Sequence, residues 1–176
     1  MPQITYSIDP THTVVHFSVR HMMVSHVRGE FTKTTGTLTF DPQNPANSSI
    51  EATIDVDSIH TRDAQRDGHL KSADFLDAEK FPTITFKSTK IEPSGNGGTV
   101  TGDLTIHGVT HPITLDVEGP APEIIDPWGM HRTGGTITGK LSRKEFGLTW
   151  NAALETGGVM VGDEVKISIE FEATRS

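Results

Sequence analysis

Cysteine is absent from the 176 residues, which excludes disulfides and thiolate chemistry and fits a reducing compartment. No apolar run approaches the ~20 residues that a membrane-spanning helix needs, so no membrane span is expected. The opening MPQITYSIDPTHT has neither the basic cluster nor the apolar block of a secretory signal, and a cytoplasmic location is the corresponding expectation. A run of Lys and Arg of the kind that binds phosphate backbones is missing too. With a formal charge of −8 and dispersed Lys and Arg, binding to nucleic acid, which depends on neutralising phosphates, is not expected. There is no GxSxG elbow and no HExxH. The run GVMVGDEV lacks a phosphate-loop lysine, and GNGGTVTGD opens no helix. Neither an enzyme, a cofactor nor a metal centre is expected.

What is present reads as sheet. An apolar fraction of 34% with no composition shift or low-complexity linker argues for one domain spanning 1–176. Apolar and polar residues alternate over Val14 to Arg20, over Ile50 to Val56 and over Glu164 to Ala173, the signature of half-buried strands. Ile4 to Ile8 is an extended lead-in. His21 to Gly29 reads as a loop, and Glu30 to Phe40, rich in β-branched threonine, as one long strand or two joined ones. Thr83 to Ile91, a hairpin of Thr99–His107 and Val109–Glu118 about Gly108, and strands around Thr136 to Leu141 and Leu148 to Leu154 complete eight or nine antiparallel strands. The prolines and glycine between Pro120 and Gly129 predict an irregular surface connection. Gly29, Gly36, Gly102 and Gly139 lie inside strands and favour a curved, closing sheet, although a sandwich satisfies the same pattern.

One stretch departs from this pattern. Between Ser58 and Ser88 charges crowd the first half, Leu70, Phe75, Leu76 and Phe81 supply apolar anchors, and Pro82 ends the segment. It predicts short helices within 61–79 across one end of the sheet. Thr61 is a candidate cap for a first piece and Ser72 for a second, because Gly68 disfavours a continuous helix.

Nine histidines offer the most visible ligand chemistry. His12 and His16 share a strand face by spacing, but His16 lies opposite Val15, Phe17 and Val19 and so faces solvent, and His107 and His111 flank a turn. Two basic clusters are candidates for holding an anionic head group: Arg20, His21, His26 and Arg28, and the pair Arg62 and Arg66. Each also has a structural reading, as a solvated loop or as charges that tie helices to the rim. Met22, Met23 and Val24 either pack beneath their loop or form a flexible lid.

Several motifs in order carry a family resemblance: His21 to Phe31 ending in Gly29-Glu30-Phe31, then Ser58-Ile59-His60-Thr61, Arg66-Asp67-Gly68-His69-Leu70 and Asp74-Phe75-Leu76-Asp77. Phe81-Pro82-Thr83-Ile84-Thr85-Phe86-Lys87-Ser88 follows, then Gly102-Asp103-Leu104-Thr105-Ile106-His107-Gly108-Val109-Thr110 and Ser142-Arg143-Lys144-Glu145-Phe146-Gly147-Leu148. Over nearly its whole length the chain resembles the YceI-like, polyisoprenoid-binding and lipocalin-like family. The resemblance implies an all-β, extended eight-stranded antiparallel barrel with helices at one end and a bound isoprenoid lipid or similar amphiphile inside. It supplies no catalytic residues. Many relatives are exported to the periplasm, and Leu76 stands where they often carry a second phenylalanine.

The expectation is therefore a protein that carries or sequesters a long-chain apolar or amphiphilic ligand, such as a polyisoprenoid, isoprenoid quinone or fatty-acyl compound. Inward candidates are Phe17, Val19, Phe31, Ile54, Val56, Phe86, Leu104, Ile106, Leu115 and Phe171, with Leu70 and Phe75 closing one end. Some of these are free to face outward into a homodimer contact. The alternatives are a stress-response interaction module with a filled barrel and a histidine-dependent metalloenzyme.

Overall fold

The alternating segments become strands of a single antiparallel sheet that closes on itself. The computed structural model describes residues 3–151, 154 and 160–175. Its strands are β1 (Ile4–Ile8), β2 (Val14–His21), β3 (Ser25–Phe31), β4 (Thr34–Phe40), β5 (Ser49–Asp55) and β6 (Ile59–His60), followed by helix α1 (Ala64–Lys71). After it come β7 (Thr83–Ser94), β8 (Gly97–Ile106), β9 (Val109–Glu118), β10 (Ile124–Ile125), β11 (His131–Ser142) and β12 (Val161–Arg175).

Closure rests on β12. One edge pairs with β11 from Arg132↔Thr174 to Ser142↔Glu164. Its other edge takes β1 (Ile8↔Ala173) and then β2 (Val15↔Ile169, Val19↔Val165), so β1 and β2 lie end to end as one interrupted strand. By the same logic β3 and β4 are halves of the next strand, and β5 and β6 of the one after, since β2 pairs β3, β1 pairs β4, β4 pairs β5 and β3 pairs β6. With β7, β8, β9, β11 and β12 the ring counts eight strands, each antiparallel to its neighbours. β12 alone has 15 residues, roughly 50 Å of extended chain, which makes the barrel long.

The three interruptions sit side by side. Asp9 caps the short turn Pro10–His12 by accepting from the Thr11 amide. Lys33 accepts from the Asp55 amide, and Ser58 accepts from the Thr32 amide. Backbone groups freed from the ladder thus find partners across the same waist.

Two glycines explain how the wall is packed. A Cβ on Gly29 would stand 2.5 Å from the Phe17 ring, and one on Gly102 equally close to the Phe86 ring. Each aromatic ring lies over a glycine of the neighbouring strand, so these positions provide room for a ring rather than a bend.

Several sequence expectations are corrected. His21 to Gly29 is no loop, because β2 and β3 form a hairpin registered from Val15↔Phe31 to His21↔Ser25. Glu30 to Phe40 takes the second of its two expected forms, the end of β3 joined to β4, which pair with different neighbours. Met22, Met23 and Val24 are exposed at the hairpin tip, not packed beneath it. Among the described residues 61–79 contains one α-helix, and 72–79 forms turns. Asp63, not Thr61, caps α1, accepting from the amides of Gln65 and Arg66, while Thr61 is buried and donates to Asp67. Ser72 ends α1 rather than starting a second helix. The strand expected over 148–154 is replaced at Arg143–Phe146 and its sequel by a 3-10 turn and irregular chain, with 152 and 153 outside the described residues. The connection after Pro120 contains β10, paired to the start of β11.

An ionic cluster fastens the β1–β2 interruption to β11 and β12. Arg132 donates to Asp9 at 2.7 Å, Asp126 at 3.1 Å and Glu172 at 3.2 Å. Burial alone would raise the Asp9 carboxyl, but the Arg132 guanidinium, His12 and Thr11 outweigh it and hold the group well below the usual carboxylate range. A carboxyl depressed on folding contributes stability that is complete above about pH 4 and is lost as the pH falls further. Arg132→Ala is expected to cost roughly 1–3 kcal/mol at neutral pH and to move the acid-unfolding midpoint to higher pH, both read by circular dichroism.

Candidate functional site

Inside the barrel the two packed clusters do not meet in a solid core. One gathers Val15, Phe31, Val56, Ile59, Phe146 and neighbours toward the α1 end; the other gathers Tyr6, Leu38, Val100, Leu115 and Phe171 toward the opposite end. Between and alongside them runs a cavity of about 560 Å³, within the range of small-molecule sites. Its wall is aliphatic and aromatic almost throughout. Along β12 the residues facing it, from Val161 to Phe171, span ten steps, about 33 Å of strand and on the order of 25 Å along a tilted barrel axis.

Of the residues expected inside, Phe17, Val19, Phe31 and Ile54 line this cavity, as do Phe86, Leu104, Ile106, Leu115 and Phe171. Leu70 of α1 and Phe75 border it at one end. Val56 does not. It continues the alternation of β5 in sequence, but the chain leaves the strand there for a 3-10 turn, and the side chain is 1% exposed within packed protein.

Among the head-group candidates, Arg20, His21 and Arg66 border the cavity. Arg66 is also tied down, its Nε donating to the Thr61 hydroxyl at 2.8 Å and its Nη2 to the Thr61 carbonyl. His26 and Arg28 are exposed on the outer face of β3, because strand alternation gives the inner face to Val27 and Gly29. Arg62 is exposed in a left-handed turn with φ 68° and also lies off the cavity. His12 and His16 part company as well: His12 meets Asp9 at 2.8 Å beside Glu172, whereas His16 faces Glu30 at 3.8 Å. Arg132 already inserts among the potential ligands Asp9, His12 and Glu172, which favours an ion-pair cluster over a cation site.

The end near α1 carries groups that strand patterning missed. Arg143 lines the cavity yet is 3% exposed. Its described hydrogen bonds all go to carbonyls: Nε to Gly162 at 2.8 Å, Nη1 to Leu148 and Trp150 at 2.7 and 2.9 Å, and Nη2 to Val161 at 3.2 Å. Burial lowers its pKa and Asp163 opposes that shift. A guanidinium has five N–H donors and stays charged, so this end of an apolar cavity has a fixed positive charge. His69 fits edge-on between Phe75 and Trp150, with ring centroids 5.1 and 4.9 Å away, and its Nε2 lies 2.9 Å from Asp74. The aromatic trio joins α1 to the segment after β11 at that end.

Thr34 is a second polar feature, at the β3–β4 interruption. Its hydroxyl is the buried side-chain polar atom among the described residues that has no hydrogen-bond partner, and the residue borders the cavity. Ile167 and Ile169 were legible as wall residues, since they share the alternation of Phe171. Arg143 had a signal only in its motif.

A closed, up-and-down barrel of eight strands around one elongated apolar cavity, with charge at one end, defines the class: a lipocalin-type, cavity-bearing β-barrel. Residues 6–173 match the YceI-like domain, and the chain belongs to that family. It is 42% identical to protein YceI of Escherichia coli over 147 residues, covering 81% of this chain and 75% of the relative. The crystal structure of BcnA from Burkholderia cenocepacia superposes with a TM-score of 0.78 at 28% identity, covering 95% of this chain and 99% of that one. A polyisoprenoid binding domain from Saccharophagus degradans, implicated in plant cell wall breakdown, shares the fold at 14% identity, with a TM-score of 0.69 over 98% and 99% of the two chains.

Two substitutions check this geometry. Thr34→Val removes an unpaired buried hydroxyl and is expected to raise stability by about 1 kcal/mol in urea unfolding. Arg143→Met removes the donor from the carbonyls of Gly162, Leu148 and Trp150, while Val161 keeps the Asn151 amide at 2.6 Å, and is expected to lower stability by roughly 2–4 kcal/mol in the same measurement.

Proposed function

We propose that this protein binds one long-chain apolar or amphiphilic molecule inside the barrel and carries or sequesters it. The observation that carries the reading is the elongated apolar cavity, because removing hydrocarbon from water supplies roughly 25 cal/mol per Å² of apolar surface. The ligand class follows from shape and charge. A flexible chain such as a polyisoprenoid, an isoprenoid quinone tail or a fatty-acyl chain suits the long bore, and the cations at the α1 end favour a polar or anionic head there. The resemblance in fold to the polyisoprenoid binding domain of Saccharophagus degradans supports the isoprenoid member of this class.

The filled-barrel module expected as an alternative needs a solid interior, which a 560 Å³ cavity does not offer. The reading is of a binding protein rather than a histidine-dependent metalloenzyme.

Native mass spectrometry of the protein as purified, with organic extraction of the same sample, is expected to detect a retained lipid. Delipidated protein is expected to take up the isoprenoid alcohol geranylgeraniol. Ala52 faces the cavity between larger neighbours, so Ala52→Phe places a ring in the bore and is expected to weaken that uptake at least about tenfold, a loss of about 1.4 kcal/mol, while the fold persists. Failure of the wild type to retain or take up lipid, or full uptake by folded Ala52→Phe, overturns the proposal.

A further inference from the structure

The tip of the β2–β3 hairpin combines features that belong together at a lipid surface. Met22, Met23 and Val24 are 41%, 45% and 82% exposed. Met22 and Met23 adopt left-handed backbone, with φ of 53° and 63°, where a tight hairpin ordinarily uses Asn or Gly. Apolar side chains are thus held out to solvent at a backbone cost. Behind this tip the outer face carries Arg20, His26 and Arg28, which are exposed. Among the described residues the side chains of His26 and Arg28 have no ion pair or hydrogen bond, and Arg20 donates only to the Met23 carbonyl, at 2.8 Å. Glu30, the acidic residue of this hairpin, faces His16. In a chain of net charge −8 this is a local reversal of sign.

Position adds a third observation. Arg20 and His21 border the cavity, and so does Met160, whose carbonyl accepts from the Met22 amide at 2.7 Å. The apolar tip therefore stands beside the polar end of the bore.

We propose that the β2–β3 hairpin docks on an anionic lipid bilayer, with Met22, Met23 and Val24 entering the headgroup and acyl boundary and Arg20, His26 and Arg28 meeting the anionic headgroups. The flexible, apolar methionines suit shallow insertion, and arginines extend to the interface. The proposal rests on the reading of the barrel as a lipid carrier. It assigns the route: ligand exchanges between membrane and bore at the end bounded by this hairpin, α1 and Trp150.

The test is co-sedimentation of the full chain with phosphatidylcholine vesicles, alone or with about a third phosphatidylglycerol, at low salt and at about 0.5 M salt, where charges are screened within a few ångströms. Binding is expected only to the anionic vesicles and is expected to weaken with salt. An arginine near an anionic surface is worth about fivefold in partition, so the double change Arg20→Glu and Arg28→Glu is expected to reduce binding at least about 25-fold. Met22→Ser, Met23→Ser and Val24→Ser together are expected to abolish it, with circular dichroism melts and geranylgeraniol uptake unchanged. Trp128→Ser, on the separate exposed tip beside β10, is expected to bind as wild type. Absence of vesicle binding by a wild type that retains lipid overturns the docking and leaves the carrier reading standing. Vesicle binding that survives the tip changes or follows Trp128 also overturns it, as does self-association in gel filtration that the tip changes abolish.

Discussion

Everything in this molecule depends on the two-sided pairing of β12. Its long backbone offers hydrogen bonds along both edges, to β11 on one side and to β1 then β2 on the other, and only that double engagement turns an open meander into a ring. An open sheet of this size would leave two unpaired edges and a wide apolar face, with no inside to speak of. Once the ring is closed, every second side chain must point inward, and eight strands enclose an interior that side chains fill or that holds one small ligand.

The length of the strands decides why space remains. Two clusters pack toward opposite ends, and the wall between them is built of side chains that reach inward without meeting a complete set of partners. The strand interruptions near Asp9, Lys33 and Val56 form a waist, fastened from outside by Arg132 and its carboxylates and from inside by Thr13, which bonds to the Glu172 backbone. Thr34 at the same level leaves its hydroxyl without a partner, a cost that a well-filled interior would not carry.

At the α1 end the constraint changes from closing a ring to fastening the elements around its mouth. Arg143 draws the segment after β11 and the start of β12 together through the carbonyls of Leu148, Trp150, Val161 and Gly162, and His69 seats α1 against Phe75 and Trp150. A buried guanidinium satisfied by carbonyls keeps its charge, so the side chain that fastens this end also places a positive charge there. Structural fastening and positive charge at this end therefore come from the same side chain.

The strands with strict alternation were legible from the chain itself, and so were most wall residues, because a period of two depends only on the local pleat. Phe17, Ile54, Leu104 and Phe171 declare their face in this way. What local pattern could not supply was anything requiring a distant partner. Val56 keeps the alternation but leaves the strand, since the β5–β6 interruption is set by contacts with the β3–β4 interruption. The His21 to Gly29 stretch looked like a loop because its hairpin turn uses methionines in place of Asn or Gly. Thr61 seemed a cap and proved a buried partner of Arg66 and Asp67. The sequence by itself determined an antiparallel, one-face-apolar sheet and the family to which it belongs. Only the tertiary structure decided that the apolar face encloses space and that Arg143 electrifies one end of it, because both depend on which strands meet across the ring, and alternation carries no record of that.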